Sequence, residues 1–256
     1  MKVVIKMGTS SLAHKTGRIN IRRLESLCKV ISDVKNSGVD VVFITSGAIG
    51  VGRGKLFMKE SPRDLPTKQA AAAVGQCKLM HMYDKIFSKF GHTAAQILIT
   101  VDDVDEATHK HNFVSTLNRL LELGVIPVVN ENNAIGTNEI LVGDNDTIAA
   151  IVAGAIEADL LIMLTDIDGL YDANPFKNPD AKKIDVVKEI GPEIYALADG
   201  GSELGTGGMA AKLKAVEIAL NKGCDVLIAD GTNPTVLYDI MDGKPAGTRF
   251  LSRKRR

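Results

Sequence analysis

The stretch SGVDVVFITSGAIGVGRG, Ser37–Gly54, decides the fold class. Gly38 ends whatever helix precedes it, because glycine takes the left-handed backbone of a helix stop without steric cost. VDVVFIT, Val39–Thr45, is then a short β-branched and aromatic run with little polar alternation, the mark of a strand covered on both faces. Ser46 follows, with Gly47, Gly50, Gly52 and Gly54 behind it. Such glycines suit a turn into a helix whose backbone approaches a ligand closely, and they equally suit tight helix–sheet packing. A buried strand between two helices is one unit of a parallel sheet.

The same alternation continues in both directions. Upstream, KVVIKM (Lys2–Met7) is another β-branched run, stopped by Gly8. Between the two strands Ile21, Leu24, Leu27, Cys28, Ile31 and Val34 recur at helical spacing behind Asn20 as N-cap. Downstream, the pattern predicts a long helix over Thr67–Phe90 closed by Gly91 and a strand over Ala94–Thr100. A helix over Lys110–Leu123 closed by Gly124 and a strand over Val125–Asn130 come next. Helices over Asp146–Ala158 and Gly208–Asn221, strands over Leu160–Asp166 and Asp225–Asp230, and a last short strand in GTRF (Gly247–Phe250) complete the series. Repeated units of this kind predict an α/β fold with a mainly parallel sheet and helices on both faces. Ligands of such sheets sit at the carboxyl ends of strands, here after Ile5, Thr45, Val129, Leu164 and Ala229. Asp168–Ile184 is the least regular stretch and fits a lobe junction or a surface loop.

A chain of 256 residues can bury a full core, as one large domain or two intimate lobes. Its 31 Lys and Arg equal its 31 Asp and Glu, so the surface as a whole gives no reason to expect a nucleic acid or a membrane as partner. Arg253, Lys254, Arg255 and Arg256 read as a solvated tail. Cys28, Cys77 and Cys224 form no CxxC pair and read as packing thiols of a reducing compartment. Lys6 interrupts the N-terminal apolar run, which argues against a signal peptide, and Glu157 and Asp159 interrupt Ile148–Leu164, which argues against a membrane span. A cytoplasmic protein is the expectation. His109 and His111 lack any accompanying metal-ligand spacing and read as exposed or capping residues.

Five stretches carry the chemistry. KMGTSS (Lys6–Ser11) sets a lysine at a strand end before free backbone N–H groups, as a phosphate site does; an ordinary turn beneath a snorkelling lysine fits the same letters. TSGAIGVGRG (Thr45–Gly54) offers Ser46 at a helix start. NENNAIGTNEILVGDND (Asn130–Asp146) holds five asparagines and four acids in 17 residues, dense enough to grip a polar substrate. Within it, Asp146 suits the orienting of a lysine better than the acceptance of a proton. LTDIDGLYDANP (Leu164–Pro175) follows a strand and suits a nucleoside or a plain surface loop. GTGGMAAK (Gly205–Lys212) opens a helix with glycines and a lysine one turn in, a phosphate cradle. It is not a P-loop, since Ala211 precedes Lys212, and its GxGxxA match lacks the preceding strand of a dinucleotide fingerprint.

The order of these motifs, KxGTSS, TSGAIGVG, VNEN, GDND, LTDIDGLYD and GTGGMxxK, closely resembles the glutamate 5-kinases of the amino acid kinase family, from Lys2 to about Phe250. The resemblance implies a three-layer αβα sandwich around a mainly parallel sheet. It implies a single kinase domain whose residues 1–158 serve the acceptor and 159–256 the nucleotide. The reaction implied is ATP plus L-glutamate to γ-glutamyl phosphate and ADP, opening proline biosynthesis, with Mg2+. Enzymes of this kind are usually homo-oligomers, are often inhibited by proline, and often carry a C-terminal PUA domain, which would begin where this sequence stops. By motif position, Lys6, Lys212 and Asp146 match catalytic residues, and Ser46 and Asn145 match acceptor-binding ones. ATP-binding positions match Lys6, Gly8, Thr165, Asp166, Thr206, Gly207, Gly208, Met209, Ala210, Ala211 and Lys212.

One position departs from the pattern. Where the family usually reads NEND this chain reads NENN, so Asn133 stands where an acceptor-binding aspartate is expected. Asparagine still accepts a hydrogen bond but lacks the charge that suits an ammonium group. Weaker glutamate binding or another small anionic acceptor (aspartate, N-acetylglutamate, carbamate or a phosphate monoester) follows from that letter. A carboxylate acceptor with a pKa of about 4 is already a nucleophile at neutral pH, which explains why lysines and glycines are present but no histidine–acid pair.

Overall fold

Val3, Val4, Ile5 and Met7 of strand β1 (Lys2–Met7) are fully buried, so both faces of this strand have to be covered. The structure, a computed structural model, describes residues 1–12, 14, 18–100, 103–104, 106–136, 145–175, 178–198 and 208–253. After β1 come α1 (Thr9–Leu12), α2 (Ile21–Asn36), β2 (Asp40–Ile44), α3 (Ala48–Lys55) and α4 (Leu65–Lys89). Next are β3 (Ala94–Ile99), α5 (Ala107–Glu122), β4 (Ile126–Glu131), α6 (Asn145–Ala155) and β5 (Leu160–Thr165). The chain continues through β6 (Leu170–Tyr171), β7 (Lys183–Ile184), β8 (Val186–Val187) and α7 (Pro192–Ala198). It closes with α8 (Met209–Asn221), β9 (Asp225–Asp230), α9 (Val236–Met241) and β10 (Thr248–Phe250).

Eight strands form one sheet in the order β3-β4-β2-β1-β5-β9-β10-β8. Neighbours run parallel except β9 and β10, which are antiparallel. The irregular stretch Asp168–Ile184 contains the small antiparallel pair β6–β7, with Leu170 opposite Ile184. Val3, Ile5 and Met7 join one apolar cluster with Leu24 and Leu27 of α2, Tyr83 and Phe87 of α4 and Leu237 of α9. Val4 joins the other, with Leu117 of α5, Ile148 and Val152 of α6, and Leu213 and Val216 of α8. The fold is an αβα sandwich.

Side chains alternate along a strand, so Lys6 shares the face of Val4 and is directed toward the layer of α6 and α8. β1 pairs with β2 on one side and β5 on the other, and the order of the sheet reverses there. Crevices for ligands open at such a reversal, beyond the carboxyl ends of the strands.

Element ends follow local chemistry. Gly38, Gly91, Gly124 and Gly223 stop helices with φ of 91°, 77°, 74° and 84°. Asn20 Oδ1 accepts from Arg23 N at 3.1 Å, as an N-cap should. The long helix begins two residues before its predicted start, because Asp64 caps it through Thr67 N and proline fits its first turn. α5 begins at Ala107 instead of Lys110, because Glu106, an uncommon cap, accepts from the N–H groups of Thr108 and His109. α6 stops at Ala155, short of the predicted Ala158, where Glu157 turns to φ 54°.

The glycines after Ser46 divide their work. Gly47 has φ 93° at the N-cap of α3. A Cβ on Gly52 would lie 1.7 Å from the Ala71 carbonyl oxygen, and one on Gly75 would lie 1.8 Å from that of Ala48, so α3 and α4 cross backbone on backbone. A Cβ on Gly50 would meet nothing within 4 Å. Gly52→Ala should therefore lower stability by about 3 kcal/mol or more, while Gly50→Ala should raise it by about 0.5 kcal/mol. Urea unfolding of the two variants checks both signs.

Candidate active site

Asp146 lies in the first turn of α6, whose apolar face (Ile148, Ala149, Val152) is pressed into the core beside β1. That packing carries its carboxylate into a site where water cannot reach it. Lys6 reaches it from the end of β1, Nζ to Oδ1 2.5 Å, and Lys212 from the first turn of α8, Nζ to Oδ2 3.1 Å. The three side chains are 3%, 9% and 13% exposed, in the order Asp146, Lys6, Lys212. Burial pushes the Asp146 carboxyl up, but the Lys6 and Lys212 ammonium groups outweigh it and hold it below its ordinary value. Among the described residues, one negative charge between two positive ones gives this trio a net positive charge, which favours an anion.

Asn145, one residue earlier, faces the other way along the sheet. The two hydrogens of its Nδ2 are shared among three acceptors, Ser46 Oγ at 2.9 Å, the Thr45 carbonyl oxygen at 3.0 Å and Asn130 Oδ1 at 3.1 Å. Its Oδ1 is buried and meets no donor among the described residues, an acceptor that a ligand N–H or a water would satisfy. Asn130, at the end of β4, passes the chain on: its Nδ2 donates to Gln76 Oε1 at 2.8 Å, and Gln76 Nε2 donates to Gln96 Oε1 at 3.1 Å. This amide chain borders a cavity of about 390 Å3 lined in part by Ala48, Gln76, Cys77, Gln96, Glu131 and Asn133. Asn133 Nδ2 donates to Glu131 Oε2 there. Below Ser46, the hydroxyls of Thr45 and the fully buried Tyr83 share a 2.5 Å hydrogen bond that ties β2 to α4.

The other expected positions ring the reversal of the sheet. Gly8 N donates to the Leu164 carbonyl oxygen at 3.3 Å, joining the ends of β1 and β5. Thr165 is buried and its Oγ1 donates to Oδ1 of the exposed Asp166 at 3.0 Å. Gly208 is the N-cap of α8, and Met209, Ala210 and Ala211 form its half-buried first turn beside Lys212. Thr206 and Gly207 lie outside the described residues, as do the glycine and first aspartate of GDND and the basic end of the chain beyond Arg253. His109 is exposed beside Asp103 and Glu106, in keeping with the exposed reading; the cap there is Glu106, which accepts from the His109 backbone N–H.

Sequence reading did not single out Gln76, Gln96 or Tyr83, and took Asn130 only as part of the amide-rich stretch Asn130–Asp146. Gln76 carried a signal: it sits on the buried side of α4 among Ala72, Gly75, Leu79 and Tyr83, where a polar side chain needs a partner.

Three comparisons bear on this geometry. The amino acid kinase family matches residues 1–230. The chain belongs to the amino acid kinase family. It is 48% identical to the glutamate 5-kinase of Clostridium perfringens over 99% of this chain and 96% of that one. It is 50% identical to the glutamate 5-kinase of Moorella thermoacetica over 100% of this chain and 68% of that one. The carbamate kinase from Giardia lamblia bound to AMP-PNP shares the fold, with a TM-score of 0.69 at 17% identity over 98% of both chains.

Kinases of this family handle a triphosphate, whose charge a divalent cation commonly shares. Among the described residues no three Cys, His, Asp or Glu side chains gather to hold a metal. Asp146 is already engaged by two ammonium groups, so its carboxylate does not fit as the ligand of a protein-held ion. The pairing has a stability consequence. Asp146→Asn leaves two buried ammonium groups facing each other and should cost about 3 kcal/mol at neutral pH. A carboxyl held below its ordinary value of 3.8 contributes fully above that pH and loses its contribution as pH falls through the depressed folded value. Denaturant unfolding of wild type and variant across pH should show the gap constant down to about pH 5 and closing only in stronger acid.

Proposed function

We infer that this chain transfers the γ-phosphoryl group of ATP to the side-chain carboxylate of L-glutamate, giving γ-glutamyl phosphate and ADP, the first step of proline biosynthesis. The observation that carries the reading is the meeting of Lys6 and Lys212 on the buried Asp146 at the reversal of the sheet, in a chain 44–50% identical to glutamate 5-kinases over nearly its whole length. Residues 1–158 form the acceptor part and 159–256 the nucleotide part of one kinase domain.

In this reading an oxygen of the glutamate γ-carboxylate forms a bond to the γ-phosphorus as the bond from that phosphorus to the β–γ bridging oxygen breaks, and ADP departs with that oxygen. No proton leaves the nucleophile, so no general base is needed. The barrier is the repulsion of two anions, and positioned cations lower it. Lys6 and Lys212 neutralise charge that grows on the transferring group, and Asp146 holds their ammonium groups in place. Gly8 and the start of α8 at Gly208, Met209, Ala210 and Ala211 border the phosphates, with the N–H groups of Met209 and Ala210 as donors and Thr206 and Gly207 extending the cradle. Thr165 and Asp166 contact the nucleoside end. Ser46, Asn145 and Asn133 serve the acceptor, with the N-terminus of α3 facing its carboxylate. Magnesium would accompany ATP and share its charge, with no described residue of this chain assigned to hold it. No described helix is long and apolar enough to cross a membrane. A cytoplasmic homo-oligomer restrained by proline is the physiological setting we propose.

Purified protein with ATP, Mg2+ and L-glutamate should form an acyl phosphate that hydroxylamine traps as a hydroxamate. Aspartate, N-acetylglutamate, carbamate and phosphate monoesters in the same assay, followed by ADP release, should give far slower turnover. Lys212→Ala should lower kcat by roughly 10²–10⁴-fold, as loss of a transition-state charge contact does. A rate near wild type would remove that lysine from the mechanism.

A further inference from the structure

The cavity beside the amide chain is uneven in charge. Among the described residues that line it Glu131 alone is charged; the others supply amides, a thiol and apolar surface. Glu131 ends β4, is 5% exposed, and is held by its backbone: its N–H donates to Asn130 Oδ1 at 2.9 Å and the residue pairs with Ile99 of β3. Asn133 binds it twice, Nδ2 to Oε2 and backbone N to the Glu131 carbonyl oxygen at 2.9 Å. The amide at position 133 is thereby turned toward the carboxylate as a donor.

We propose that Glu131 receives the α-ammonium group of the amino-acid acceptor, and that Asn133 is a positioning residue that fixes the Glu131 carboxylate for it. The inference rests on the glutamate reading and supplies the charge that Asn133 lacks. An ammonium group entering a cavity of this size loses most of its water, and amide oxygens alone do not replace a counter-charge. A carboxylate on a rigid strand end does, through charge-assisted hydrogen bonds about twice as strong as neutral ones. Gln76 and Gln96 line the same cavity and are bonded to each other, and Asn130 donates to Gln76 behind them. From the cavity the chain Gln76–Asn130–Asn145–Ser46 leads to the residue next to Asp146. An acceptor whose amine lies at Glu131 can thus extend its far carboxylate toward Lys6 and Lys212.

The test compares wild type with Glu131→Gln, Glu131→Asp and Asn133→Ala, each shown to be folded by thermal unfolding. Kinetics are measured with L-glutamate and with glutarate, which lacks the ammonium group. Glu131→Gln should raise KM for L-glutamate roughly 10²-fold with kcat little changed, because the contact is equal in ground and transition states. It should leave glutarate unaffected, so that the preference for the amino acid disappears. Glu131→Asp, which keeps the charge, should retain part of that preference, and Asn133→Ala should weaken it less than tenfold (about one hydrogen bond to a charged group).

A second readout needs no turnover. Cys77 is exposed on the cavity wall while Cys28 and Cys224 are buried, so L-glutamate without nucleotide should slow alkylation of Cys77 by iodoacetamide, and Glu131→Gln should abolish that protection. A Glu131→Gln enzyme that still prefers glutamate over glutarate as wild type does overturns the proposal, as does loss of the preference in Asn133→Ala alone. A wild-type chain that yields no hydroxamate, yet shows Glu131-dependent protection by L-glutamate and none by glutarate, overturns the kinase reading and leaves this one standing.

Discussion

The carboxylate of Asp146, held between the ammonium groups of Lys6 and Lys212, is the interaction that the rest of the site depends on. Two ammonium groups at such depth would repel each other. A buried counter-ion between them holds both close. It also leaves the trio with a surplus of positive charge, which is what a transferring phosphoryl group requires. The cost is desolvation of three ions, tolerable because every ion has a partner and because the helix start at Asn145–Asp146 adds its own positive end.

Holding this trio sets demands on the fold. Lys6 has to leave β1 on one face only, and strand alternation beside the fully buried Val3, Val4 and Ile5 ensures it. Asp146 and Lys212 have to project from helix starts in the layer on that same face, which the packing of Ile148, Val152, Leu213 and Val216 arranges. On the opposite face, the glycine contacts of α3 with α4 bring Ser46 and the cavity wall close to the ends of β2 and β4. The two layers thus serve different tasks. One carries the charged centre, the other most of the wall that an acceptor would touch. The amide chain from Gln76 to Asn145 crosses between them at the carboxyl edge of the sheet.

The regular elements were legible because their signals are local. β-branched runs and glycine stops mark each strand and helix within a few letters, and Asp225–Asp230 came out with the observed bounds. Errors fell where a local rule has exceptions, as with a glutamate cap at position 106 or a non-glycine residue, Glu157, in the left-handed region. The short elements α7, α9 and β8 escaped because a few residues do not establish a period. In the site, the charged residues and the glycine turns stood out as motifs. Gln76 and Gln96 did not, since one glutamine inside an apolar helix or strand resembles a chance surface residue until its partner is known.

By itself the sequence determined the class of fold, the strand ends where ligands collect, and the residue types offered there: two lysines, an aspartate, helix-opening glycines and a dense amide loop. These are properties of neighbours along the chain, governed by periodicity and turn chemistry. Only the tertiary structure decided that positions 6, 146 and 212 share one buried ion cluster, that Gly52 and Gly75 serve a helix crossing, and that Asn133 leans on Glu131. Those facts depend on which strands lie side by side and on which face each side chain emerges. Sheet order and burial are set by the packing of the whole chain, and no short stretch of letters contains them.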